Sequence, residues 1–301
     1  MESPSIDALR ENLIDEIFAA GGFSPHGRLR RLAGGLFRKP ADRFAEYALR
    51  FDQCAAQAGL RAAAADLLAQ LGIHVHVDGA ERIPASGPLL IAGNHPGTCD
   101  GFCVLASLPR DDIRFIVSGV PLTHSLPNVS RYLIYAPGDR HERMLAIRQM
   151  SRHLLEGGAV LIYPSGRLDP DPDVLPGAEA ALELWSPSLE LLLRRAPETG
   201  VVTAITSGVL APQVMRNPLT RLQHGWRRQK LAEVIQVRRM LMSPNSSSLQ
   251  PRLTFGEPLH LGGLLSGNPG KGELLQYLIE SARAVLREHI QNSGARAERM
   301  I

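Results

Sequence analysis

Leu89-Leu90-Ile91-Ala92-Gly93-Asn94-His95-Pro96-Gly97-Thr98-Cys99-Asp100 is the stretch on which the reading of this chain turns. Its first four residues form an uninterrupted apolar run, the length of a strand buried on both faces. Pro96-Gly97 then supply a turn. Thr98 stands where a helix N-cap is expected, ahead of Asp100 and the apolar Phe102, Val104 and Leu105. Strand, turn and helix in that order predict a βα unit with a His and an Asp near the carboxyl end of the strand. On one regular helix, residues five apart diverge by about 140°. The two side chains meet only if His95 lies in the turn and Asp100 on the helix. A base held by a carboxylate in this way can take a proton from a hydroxyl.

Outward from this unit, the pattern repeats. Ile73-His74-Val75-His76-Val77 alternates apolar and polar, as a half-buried strand does. Short apolar runs follow at Arg114–Val117, Leu133–Tyr135, Ala159–Tyr163, Val201–Ile205 and Arg252–Phe255. Helical stretches fall between them, clearest at His141–Glu156, and Gly272–Ile290 reads as an amphipathic helix. Strands alternating with helices predict an α/β domain over 73–301, with a mixed central sheet flanked by helices. Residues 1–72 carry no strand pattern. Ile6, Leu9, Leu13, Ile14, Ile17 and Phe18 recur at helical spacing, and a second helical region spans Ala41 to Leu71. A loop with Gly and Pro is expected from Gly21 to Pro40. An N-terminal helical subdomain is predicted there.

Composition bounds the function classes. The chain has 301 residues, 44% hydrophobic and 21% charged, which suits a globular protein with a sizeable core. A net charge of +3 selects neither nucleic acid nor a membrane as partner. Three cysteines make no disulfide framework and point to a reducing compartment. The amino terminus has early acids and no basic stretch before an apolar core, so no signal peptide is expected. No apolar run reaches the roughly 18 residues of a spanning helix. The expected location is the cytoplasm, with any membrane contact peripheral, at the inner face.

The segment from Val77 to Asp100 resembles the glycerolipid acyltransferase superfamily (phospholipid/glycerol acyltransferases), in which N-H-x4-D is the catalytic block. Asn94, His95 and Asp100 match it position for position. Tyr163-Pro164-Ser165-Gly166-Arg167 resembles the acceptor-binding block of that superfamily, with Ser165 where the common form has Glu. The Pro-Ser-Gly variant, the following Pro170-Asp171-Pro172 and the basic pair Arg140-His141 are similar to the soluble plastid-type glycerol-3-phosphate acyltransferases. The resemblance covers most of residues 73–260. The chain departs from that branch at Leu168, since no second arginine follows Arg167 before Arg194.

The resemblance implies an O-acyltransferase of phospholipid biosynthesis. An acyl thioester, on acyl carrier protein or coenzyme A, would be co-substrate, and glycerol 3-phosphate or a related phosphorylated molecule the acceptor. Transfer would be direct, without a metal or a bound cofactor. His95 would act as base and Asp100 would hold the imidazole. Asn94, Ser165, Gly166, Arg167, Arg140 and His141 would bind substrate, the arginines by pairing with phosphate and the turn by its backbone donors. Lysophospholipid or glycolipid acceptors are the nearest alternatives. A thioester hydrolase and a non-catalytic lipid- or carrier-binding protein are alternatives of other classes.

Three further features have plainer readings. Cys99 and Cys103 match no thiol-hydrolase spacing and are expected to pack a helix interior. His74 and His76 share a strand face without further ligands at a metal-binding spacing. Residues 216–239 carry Arg216, Arg221, Arg227, Arg228, Lys230, Arg238 and Arg239 against one acid, Glu233. That segment fits a membrane surface, an acidic carrier protein or a solvated helix. It lacks the aromatic platform of a nucleic-acid binder.

Overall fold

The structure is a computed structural model that describes residues 6–20, 28–119, 121–136, 138–243 and 249–297. Its strands are β1 (His76–Asp78), β2 (Leu89–Gly93), β3 (Ile113–Val117), β4 (Leu133–Tyr135), β5 (Ala159–Ile162), β6 (Gly200–Ser207), β7 (Arg252–Phe255) and β8 (Leu259–His260). The helices are α1 (Ile6–Ala20), α2 (Arg28–Gln70), α3 (Asp100–Ser107), α4 (Pro121–His124), α5 (Arg140–Leu155), α6 (Ala178–Leu182), α7 (Ser188–Arg195), α8 (Pro212–Met215), α9 (Gly225–Met242), α10 (Gly262–Ser266) and α11 (Glu273–Ala297).

The described strands form one mixed sheet in the order β1-β7-β6-β2-β5-β3-β4, with β8 also on β6. β6, β2, β5, β3 and β4 run parallel. β7 and β8 are antiparallel to β6, and β1 is parallel to β7. β2 pairs on both edges and every one of its residues is buried, which is why its run is continuously apolar. Side chains of the strands alternate between the two faces. Leu90, Ala92, Val160, Ile162, Val201 and Ile205 join α5, α6, α7 and α11 in one core. Phe115 alternates with Ile116, which packs on that core, so Phe115 points to the other face, beneath α3. A Cβ at Gly101 of α3 would stand 3.2 Å from the Phe115 ring, and only glycine lets the helix descend that far.

The chain divides into two compact units. The α/β unit holds 75–118, 133–209 and 250–301. The helical unit holds 1–74 together with 119–132 and 210–249, two segments that the linear division at residue 72 places in the α/β domain. Buried Asp52 of α2 explains the first addition: it accepts from the backbone N–H groups of Asn128 and Val129, both at 2.9 Å, and from Asn128 Nδ2 at 2.7 Å. Within the second, Gln236 of α9 ties the helix to the start of its own segment, its Oε1 accepting from Ala211 N at 2.7 Å.

Three local expectations are corrected. The expected loop from Gly21 to Pro40 is helical from Arg28 onward, and residues 21–27 lie outside the described residues. Pro40 does not end α2, because Phe37 and Ala41 around it pack on Leu13 and Ile14 of α1 and outweigh the lost hydrogen bond. The break in α2 falls instead at Gly59, with φ 85° and ψ 169°. The last helix, read as Gly272–Ile290, runs to Ala297; it buries Leu274, Leu278, Ala282 and Val285 while Ile290 faces solvent.

Candidate active site

In open parallel α/β sheets, ligands gather beyond the carboxyl ends of the strands. β2 ends there in Asn94-His95 and β5 in Tyr163-Pro164-Ser165, and the two strands are hydrogen-bonded neighbours. His95 and Asp100 do meet. His95 Nδ1 lies 2.8 Å from Asp100 Oδ2. Asp100 is an ion-pair partner buried to 1% exposure, while the imidazole is 31% exposed. An ionised carboxylate can only accept, so it fixes the proton on Nδ1 and makes Nε2 the basic nitrogen. Gly97 N also donates to Asp100 Oδ2, at 3.0 Å, which tightens the Pro96-Gly97 turn onto the carboxylate. Helix α3 opens at Asp100, and Cys99, not Thr98, takes the N-cap position. The Asp100 carboxylate, reaching back to Gly97, does the tying that a Thr98 cap was expected to do.

Two residues outside the expected set complete the geometry. Tyr163 stacks flat on the His95 ring, centroids 4.6 Å apart and planes 6° from parallel. Phe115 meets Tyr163 edge-on at 5.7 Å and helps fix its ring. Burial, and then the charge of Asp100, hold the Tyr163 phenol far above the usual tyrosine range, so it stays neutral. Asp169 is the second residue. Its Oδ2 accepts from His95 N at 2.9 Å, and its own N–H donates to His95 O at 2.7 Å. Ser165 Oγ lies 3.1 Å from the same Oδ2. Burial raises the Asp169 carboxyl, opposed by the His95 backbone bond and Ser165. The two loops are thereby pinned together across 74 residues of sequence. The sequence signal for Asp169 was only its place in an Asp169-x-Asp171-x-Asp173 run. Asp171 accepts from Gly208 N and Val209 N, and Asp173 pairs with Arg252 and Ser207.

The remaining expected residues separate. Asn94 is buried, and its amide bonds Thr206 in both directions, Nδ2 to Thr206 O at 2.9 Å and Oδ1 from Thr206 N at 2.8 Å. It extends the β2–β6 ladder as a backbone group would, so its contacts are those of a scaffold and not of a ligand-facing side chain. Gly166, at φ 65°, donates its N–H to Tyr163 O within the turn, and Arg167 N lies 3.4 Å from Ser165 Oγ. The Gly166 and Arg167 N–H groups thus have partners within the turn itself. Ser165 itself turns inward to Arg167 O and Asp169. The Arg167 side chain is exposed. Arg140 and His141 open α5, which follows β4 on the same sheet edge, three strand spacings or about 14 Å from β2. The His141 side chain is exposed; that of Arg140 lies outside the described residues.

Cys99 and Cys103 are buried in the α3 region, and burial raises the Cys103 thiol well above its ordinary value. Both side chains fit packing, not nucleophilic attack. His74 is exposed, and His76 pairs with Asp78 at 3.3 Å. Among the described residues no cluster of His, Cys, Asp and Glu could hold a metal ion. No described helix is long and apolar enough to cross a membrane.

Residues 74–188 match the family model described as Acyltransferase. The matched stretch contains His95, Asp100, Tyr163, Ser165, Arg167 and Asp169. No curated protein matches the chain. Among solved structures, the chain is similar to the 1-acyl-sn-glycerophosphate (LPA) acyltransferase PlsC from Thermotoga maritima, at 16% identity and a TM-score of 0.45, over 95% of this chain and 97% of that one.

Proposed function

We propose that this protein transfers a fatty acyl group from an acyl thioester, on acyl carrier protein or coenzyme A, to a hydroxyl of glycerol 3-phosphate or a related phosphorylated acceptor. The observation that carries the reading is the 2.8 Å contact between the half-exposed His95 and the buried Asp100, inside the stretch that matches the acyltransferase family. His95 Nε2 takes the acceptor's hydroxyl proton as its oxygen attacks the thioester carbonyl. Asp100 stabilises the imidazolium that forms. The tetrahedral intermediate collapses, the C–S bond breaks, and the imidazolium returns its proton to the departing thiolate. No covalent enzyme intermediate is needed, in keeping with the buried, protonated Cys103.

The exposed Arg167, two residues beyond the Ser165 that bonds Asp169, serves the acceptor's phosphate. The Pro164-Ser165-Gly166 sequence supports the glycerol-3-phosphate branch of the superfamily. The test is an acceptor screen with radiolabelled acyl thioester, comparing glycerol 3-phosphate, lysophosphatidate and a lysophospholipid without a free phosphate. Acyl ester on a phosphorylated acceptor, with an Arg167→Ala variant whose KM for it rises about tenfold, supports the proposal. Acyl release to water regardless of acceptor identifies a hydrolase, and no turnover with any donor removes the enzyme reading.

A further inference from the structure

We propose that the corner formed by Pro218–Leu222 and the first two turns of α9 is a docking wedge for an anionic lipid surface, with Leu219, Leu222 and Trp226 entering the interface. The helical unit carries it. The 218–222 segment is a 3-10 helix, in which residues three apart eclipse, so Leu219 and Leu222 project from one side. Leu222 is 74% exposed, and Leu219 and Trp226 are each 58% exposed. These are large apolar side chains held in water within eight residues of each other. The inward face of α9 is filled by Gln229, Glu233 and Gln236 beside Ala232, Met240 and Leu241, while Trp226 stays outside it.

Charge names the occupant. Arg216, Arg221, Arg227 and Lys230 flank the apolar residues in sequence, and Glu233, the one acid of the segment, is buried. The Arg227 guanidinium and the Lys230 ammonium lie 5.6 and 5.9 Å from the Trp226 ring centroid. A tryptophan with flexible cations at its rim suits the headgroup boundary of a bilayer, the ring at the acyl edge and the cations on phosphate. An acidic protein would account for the cations and leave the exposed leucines without a partner.

Flotation of the full-length protein tests this, with vesicles of phosphatidylcholine alone and of phosphatidylcholine with phosphatidylglycerol, and no thioester present. The readout is therefore independent of whether acyl transfer occurs. The expected result is binding to the anionic vesicles, weakened by salt, with a blue shift of Trp226 emission; Trp185, the other tryptophan, is buried and serves as an internal constant. Leu219→Ser/Leu222→Ser/Trp226→Ser should weaken binding about tenfold or more. Arg221→Gln/Arg227→Gln/Lys230→Gln should erase the preference for anionic vesicles. The replaced side chains are exposed, Lys230 partly so, and far-ultraviolet circular dichroism and melting should match the parent. Failure of the parent protein to float, equal binding by the serine variant, or capture of acidic acyl carrier protein without vesicle binding each overturns the proposal.

Discussion

The Tyr163 ring lies face to face with the His95 imidazole, 4.6 Å between centroids. A stacked neighbour removes one rotational freedom from the ring, while the Asp100 contact removes the other. The imidazole is thus oriented by two groups, one at the start of α3 and one at the end of β5, and general-base chemistry depends on that orientation. The hydroxyl of Tyr163 is buried near Asp100 and stays protonated.

Tyr163→Phe keeps the stacked ring and Tyr163→Leu removes it. The Phe variant is expected to hold kcat within a factor of about two, and the Leu variant to lose about tenfold in kcat with little change in KM. Steady-state rates on both variants check this. Equal losses in the two would assign the effect to the hydroxyl and not to the stack.

His95→Ala should lower acyl transfer by about 10²- to 10⁴-fold while leaving the melting temperature near that of the parent, since the side chain is half-exposed. Asp100→Asn retains a hydrogen-bonding partner for Nδ1 but removes the charge that favours imidazolium. A loss of about 10²-fold or more is expected, chiefly in kcat. Initial rates and thermal melting, measured on the same preparations, separate chemistry from folding.

Asn94→Ala strands the backbone N–H and C=O of Thr206 in a buried position. Each unsatisfied group costs about 1–3 kcal/mol, so a loss of about 3 kcal/mol in unfolding free energy is expected from denaturant titration. A substrate-binding role predicts the reverse pattern, an unchanged midpoint with a raised KM.

His289 supplies the pH dependence. Its ring bonds Thr254 Oγ1 at 2.8 Å and Ser207 Oγ at 2.7 Å, joining α11 to β7 and β6. Burial chiefly, and Arg252 next, lower its pKa from 6.5 to about 4. The unfolded chain therefore binds this proton more readily than the folded one between those values. The stabilisation is present above about pH 6.5 and is lost as pH falls to about 4, by at most about 3 kcal/mol. Urea titrations at pH 7 and pH 4.5 should show the fall in the parent protein and a smaller one in His289→Gln.

What the sequence determined by itself was local. The apolar run Leu89–Ala92 could only be a strand buried on both faces, and it is, between β6 and β5. Pro96-Gly97 forced the turn that lets His95 and Asp100 meet, because turn chemistry and periodicity are properties of neighbours in the chain. The tertiary structure decided the rest. The Asp169 clamp on His95, the Tyr163 stack and the bond between Asn94 and Thr206 join residues 68 to 112 positions apart. Nothing in a local pattern encodes such a pair, since each partner is an ordinary loop or strand-end residue until the sheet sets β2 between β5 and β6. The same holds for segment 119–132, which the buried Asp52 draws into the helical unit. A buried polar side chain must find its hydrogen-bonding partner wherever the fold brings one, at no fixed spacing in sequence.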